Sequence, residues 1–195
     1  MQPAKILLHV AGLGAVGSHL VAELYKIPEL LGKLKIVGYD FDIVEQHNLA
    51  NQAYGQIDVG LPKAEALAEI FGIETENMKY PAYAPAPDIL VMAVDSMQAR
   101  RDIYYQSSAQ FKLDTRLAEG AIVSLAGKTI RENFDYGDEE QDTSSPCQSS
   151  FHADKELVMQ SVQWLLEQIE SIVNNWEPAF KERRLIGGKV IDIGG

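Results

Sequence analysis

The chain has 195 residues, 46% hydrophobic and 23% charged, which fits one globular domain spanning 1–195 and excludes disorder or a collagen repeat. A chain of this length buries enough surface for a self-sufficient core, and its single cysteine, Cys147, excludes an internal disulfide and a cysteine-cluster zinc site and points to a reducing compartment. Seventeen Lys and Arg against 28 Asp and Glu give a net charge of −11, which repels phosphate backbones and anionic membranes, so neither nucleic acid nor membrane is expected as a partner.

Lys5 to Ala11 is a short apolar run that stops at glycines, as a buried parallel strand does, and a helix is predicted over Ala15 to Tyr25. Residues Ile6 to Val21 lack acidic and basic side chains, but three glycines and two histidines punctuate them and they are too short to span a bilayer. They read as strand, turn and helix in a cytoplasmic protein. A second strand is predicted over Leu34 to Tyr39, and a helix over Pro62 to Phe71, with the proline at its first position. Three prolines make Lys79 to Pro87 a connection, and Asp88 to Val94 is a third buried strand. A helix over Met97 to Gln110 and strands over Phe111 to Arg116 and Ala121 to Ile130 follow. Residues 132–150 hold six acids, no base and several serines, and are predicted to form a long mobile loop. An amphipathic helix over Asp154 to Asn174 and a last strand over Val190 to Ile193 complete the chain. The βαβ alternation predicts an α/β fold, a single Rossmann-like doubly wound domain with a mostly parallel sheet flanked by helices.

Chemistry concentrates at the ends of these strands. Gly12-Leu-Gly14-Ala-Val-Gly17 joins the first strand to the first helix, where glycines admit a phosphate to the backbone and the helix N-terminus adds positive partial charge; the alternative is a plain tight turn. Asp40 ends the second strand, where a Rossmann fold places a ribose-binding acid. Asp42 follows at a period of two, which would put both carboxylates on one side, or it is a solvated turn residue. Asn48, Asn51 and Gln52 supply amides that donate to phosphates and accept from ribose hydroxyls. Lys63, at a helix N-terminus, adds a full charge of the kind a triphosphate needs, unless it is an exposed surface lysine. Asp95 ends the third strand on the carboxyl edge, where it would either hold Mg²⁺ or cap a helix. Asp114 and Arg116 end another strand, so that Arg116 either engages a carboxylate tail or forms an ordinary surface ion pair. His9 and His19 lack metal-ligand spacing and read as structural.

Taken in order, the glycine loop, Asp40-x-Asp42-x-Val44, Asn48-Leu49-x-x-Gln52, Asp58-Val-Gly60-x-Pro-Lys63-Ala64, and Val94-Asp95 followed by Arg100 resemble the ThiF/MoeB/HesA family, the bacterial relatives of ubiquitin-activating enzymes. The resemblance covers about residues 4–130. It implies ATP- and Mg²⁺-dependent adenylation of a C-terminal carboxylate, usually the Gly-Gly tail of a ubiquitin-like or sulfur-carrier protein or a peptide, by a homodimer or a heterodimer with a related subunit. Carried over by position, Asp40 would hold the ribose, Asn48, Gln52 and Lys63 the phosphates, and Asp95 the magnesium. Catalysis would rest on Lys63 and Asp95, and on Cys147 if that cysteine accepts the activated substrate as a thioester; the alternative is a cysteine without a catalytic role.

The sequence also departs from the family pattern. Asn51 stands where active members commonly carry arginine, which removes a charged donor worth about 1.5–3 kcal/mol. The chain begins almost at its first strand, so the N-terminal helix that often supplies a second arginine is expected to be missing, and no CxxC pair is present, so no zinc is expected. Three functions follow in order: an adenylyltransferase, a catalytically reduced nucleotide-binding scaffold beside an active partner, and an NAD-dependent oxidoreductase. The last leaves Asp42, Asn48, Gln52 and Lys63 without a role. The terminal Gly194-Gly195 is either a plain chain end or itself a tail for activation.

Overall fold

The computed structural model describes residues 4–118, 121–127 and 154–193. The loop expected over 132–150, with Cys147, and the terminal Gly194-Gly195 lie outside the described residues. Strands β1 (Ile6–Ala11), β2 (Leu34–Tyr39), β3 (Glu74–Glu76), β4 (Ile89–Met92), β5 (Phe111–Ala118), β6 (Ala121–Gly127), β7 (Glu182–Ile186) and β8 (Lys189–Ile193) form one sheet in the order β3-β2-β1-β4-β5-β6-β7-β8. The first five strands pair in parallel, and β6, β7 and β8 extend the sheet as an antiparallel meander.

Period-two alternation gives the parallel strands two apolar faces. Leu8 and Val10, Ile89 and Val91, and Phe111 and Leu113 pack on one face with residues of α1 (Ala15–Tyr25), α3 (Lys63–Phe71) and α5 (Lys155–Asn175). Ala11, Leu90 and Met92 turn to the other face, where Ile103 and Tyr104 of α4 (Met97–Gln106) cover them. Helices on both faces make the expected doubly wound α/β fold. Among the described residues no helix is long and apolar enough to cross a membrane.

Several boundaries differ from expectation for local reasons. Pro62 is the N-cap of α3, not its first residue: its ψ of 134° is extended, and it bridges Ile43. Helix α4 stops at Gln106 because Ser107 is extended and its hydroxyl accepts the Ala109 N–H at 3.2 Å. Five elements lie outside the predicted ones: the one-turn α2 (Pro28–Leu31), the 3₁₀ turns Gln46–Ala50 and Gln56–Asp58, β3 and β7.

The register places the site. Ala11 lies beside Tyr39 on one side and Met92 on the other, and Met92 lies beside Asp114. The connection that leaves β1 runs to β2 on one side and the one that leaves β4 runs to β5 on the other, so the carboxyl ends of β1 and β4 flank a topological switch point, the usual ligand crevice of an open α/β sheet.

Candidate nucleotide site

A cavity of about 850 Å³ opens at this switch point. Its floor is the glycine loop. Gly12 has φ +92°, and an added Cβ would lie 2.7 Å from the Ala93 carbonyl oxygen, so this glycine lets the loop press against the end of β4. At Gly17 a Cβ would overlap the Gly12 carbonyl oxygen, so the residue seats α1 on the loop and does not line the cavity. Gly14 differs from both: it lines the cavity, and a Cβ there would meet no protein atom within 4 Å. It is also the N-cap of α1, with no side-chain cap and no acid in the first turn, so the amides of that turn face the cavity as an anion cradle.

Asp40 follows β2 and is buried. Its Oδ2 accepts the Leu13 N–H at 2.7 Å and its Oδ1 accepts the Asp42 N–H at 2.8 Å, so one carboxylate ties the glycine loop to the next turn. Burial pushes its pKa above the ordinary carboxylate range, opposed by these two N–H bonds and by Lys63. The strand has ended at Tyr39, so period two no longer applies: Asp40 is buried, Asp42 is exposed, and both line the cavity.

Lys63 is not the exposed surface lysine of the alternative reading. Its side chain is 8% exposed, and its Nζ lies 3.1 Å from Asp42 Oδ2. Backbone pairing fixes this contact: Lys63 N–H donates to the Asp42 carbonyl at 2.9 Å, and Val44 N–H to the Leu61 carbonyl at 2.8 Å. Asn48 is buried, and its Oδ1 accepts the Glu45 N–H at 2.9 Å in a capping box over the short 3₁₀ turn of residues 46–50. Asn51 and Gln52 follow on the cavity wall, and Gln52 Oε1 is buried there without a hydrogen-bond partner among the described residues. Asp95 stands exposed just beyond β4, and Ser96, not Asp95, caps α4 by accepting the Ala99 N–H at 3.3 Å.

The expected surface ion pair of Asp114 and Arg116 is a buried network. Asp114 is fully buried, and it binds Arg100 through Oδ1 and the Arg116 Nε at 2.8 Å through Oδ2. Arg100 lines the cavity, whereas Arg116 does not. The sequence reading also passed over the aromatic end of the cavity. Tyr39 and Tyr80 stack edge to face with centroids 4.9 Å apart, and Lys79 lies 4.9 Å from the Phe41 ring centroid. A tyrosine directly before the strand-end acid was the available signal.

The residues fit a nucleotide phosphate chain. They bring to one cavity lining an open glycine position, an uncapped helix N-terminus, a buried lysine, an orphaned amide and an exposed carboxylate. No three-residue cluster of His, Cys, Asp or Glu suited to a metal occurs among the described residues. A magnesium held by one carboxylate and by phosphate oxygens needs none.

This architecture is a Rossmann-like α/β fold with its crevice at the switch point. The chain belongs to the ThiF family, whose profile matches residues 4–163. Solved structures with the same fold include E. coli MccB (TM-score 0.73, 14% identity), MccB with AMPCPP and MccA (0.71, 16%) and PaaA (0.70, 13%). They match over 97%, 98% and 97% of this chain, which spans 62%, 64% and 64% of theirs. No curated protein matches the sequence.

Proposed function

We propose that the cavity binds ATP with Mg²⁺ and that the protein transfers the adenylyl group to a C-terminal carboxylate of a peptide, or of a ubiquitin-like or sulfur-carrier protein ending in Gly-Gly. One observation carries this reading: the glycine cradle, the buried Lys63 and the exposed Asp95 converge on one cavity at the switch point. Family membership supports the reaction class, and the complex of MccB with AMPCPP and MccA supports a nucleotide and a peptide-like partner. In this reading the protein acts in the cytoplasm as a homodimer or beside a related subunit.

In the reaction an oxygen of the substrate carboxylate bonds to the α-phosphorus, the bond to the bridging oxygen breaks, and its electron pair leaves with pyrophosphate. The α1 N-terminus and Lys63 hold phosphate charge, and Asp42 aims the ammonium by pairing with it. Asp40 fixes the loop through its two N–H bonds and has lone pairs left for ribose hydroxyls. Asn48, Asn51 and Gln52 line the wall as neutral donors and acceptors. Asp95 would hold Mg²⁺, which neutralises phosphate charge when bound. Positioning and preorganised charge do the work, and no general base is required.

The test is ATP–pyrophosphate exchange with a peptide ending in Gly-Gly. Lys63→Ala and Asp95→Ala should each lower exchange by about 100-fold or more, as loss of a preorganised charge does. Asn51 favours a second reading, a nucleotide-binding scaffold beside an active partner, because it places a neutral amide on the cavity wall where active members commonly carry a cation. ATP binding without exchange, restored when the partner is added, would select the scaffold.

A further inference from the structure

Arg100 brackets Asp95. Its NH1 donates to the Met92 carbonyl at 3.0 Å, its NH2 donates to the Val94 carbonyl, and its backbone N–H donates to the Ser96 carbonyl at 3.0 Å. The carbonyls on both sides of Asp95 are therefore held by one residue, by its side chain before and its main chain after. The guanidinium is itself anchored by the fully buried Asp114 on β5. The Asp95 carboxylate, in contrast, is exposed and makes no hydrogen bond or ion pair among the described residues. Its place is set by the backbone alone.

We propose that Arg100 is a positioning residue: anchored on Asp114, it fixes the turn between β4 and α4 so that Asp95 meets a divalent cation on the bound nucleotide. The ionic anchor suits this task. A carbonyl at the end of a parallel strand has no ladder partner beyond the strand, and a guanidinium with several donors in a fixed plane can hold two carbonyls and a carboxylate together. An ammonium at the same place reaches fewer acceptors and imposes no plane. Although Arg100 lines the cavity, its guanidinium is bound to Asp114 and to two carbonyls, so Arg100 acts through Asp95 and not on the phosphates.

The part that concerns the cation rests on the ATP-Mg²⁺ reading; the part that concerns the turn does not, and two readouts separate them. The first is hydrogen–deuterium exchange of the ligand-free protein. In Arg100→Gln, the amides of Ala93 and Ala99, hydrogen-bonded at the two ends of the turn, should exchange at least tenfold faster than in the wild type, while those of β1 stay unchanged; unchanged exchange at both overturns the proposal. The second is calorimetric titration with ATP, with and without Mg²⁺. Arg100→Gln should keep Mg²⁺-free affinity within about twofold and lose at least tenfold of the Mg²⁺-dependent gain, whereas equal losses in both arms overturn the proposal. If Arg100→Gln does not fold, Arg100→Lys, which keeps the charge on Asp114, should show the same split to a smaller degree, and wild-type behaviour in it overturns the assignment. A wild-type protein that binds no ATP overturns the reading of the site, and the exchange arm still decides the role of Arg100 in the turn.

Discussion

The three loop glycines divide their work, and substitution by alanine separates it. At Gly17 a methyl would collide with the Gly12 carbonyl, so Gly17→Ala should cost about 1–3 kcal/mol in urea unfolding, as overpacking does, with affinity for ATP lowered only as far as the loop shifts. Gly14→Ala meets no protein atom, so stability should change by less than about 1 kcal/mol while the methyl fills the cradle and weakens ATP binding tenfold or more in calorimetry. The sequence pattern showed three glycines in the right place but not this division, because which glycine faces protein and which faces the cavity depends on how β4 and α1 close around the loop. Asp40 is similar. Its position was legible from the strand end, but its two backbone N–H bonds arise from the turn it makes with Asp42, which no periodicity encodes.

Between elements, a buried ion pair ties α4 to β5 at the site. Asp114 has no exposure and holds two guanidinium groups, so Asp114→Ala would leave both without their shared carboxylate in a poorly solvated place. A loss of about 3–5 kcal/mol in unfolding free energy is expected, measured by urea denaturation. The surface ion pair expected for Asp114 and Arg116 misplaced them because sequence shows charge but not cover, and here α4 supplies the cover from the neighbouring connection. Elements with strong local signals were legible: α1 and β2 match their expected limits, since an apolar run ending at glycines or acids is a signal carried within the run. Strand β3 was not, because Glu74-Thr75-Glu76 is polar on both faces and owes its conformation to backbone pairing with β2. Strand β7 likewise has charged residues where alternation would be sought, and Arg183 reaches Glu167 on α5 and Asp192 on β8. Such partners are set by the meander, not by neighbours in sequence.

For the whole molecule, pH adds a test of how the second sheet face is packed. His9 points to the α4 side, buried against Tyr39 and Tyr80, with Nδ1 3.2 Å from the Tyr80 hydroxyl oxygen. Burial, aided by Lys35, lowers its pKa to about 4. The folded protein therefore keeps His9 neutral where the unfolded chain protonates it. This contribution is fully present above pH 6.5 and is lost as pH falls from 6.5 toward 4, up to about 3 kcal/mol. The difference in unfolding free energy between the wild type and His9→Phe should change by that amount over the same interval, and a constant difference would place His9 in a solvated site. The fold class and the line of site residues were legible because β-strand ends, glycines and acids recur in a fixed order. The cavity itself was not, since it forms only when five parallel strands bring residues far apart in sequence to one edge. The central claim is that this edge binds ATP with Mg²⁺, and calorimetric titration of the purified protein with ATP plus Mg²⁺, with NAD⁺ as the control ligand, tests it most directly. The account predicts saturable ATP binding that weakens at least tenfold in Asp95→Ala, and no saturation by NAD⁺. Tight NAD⁺ binding indifferent to Mg²⁺, or no ATP binding at millimolar concentration, would contradict it.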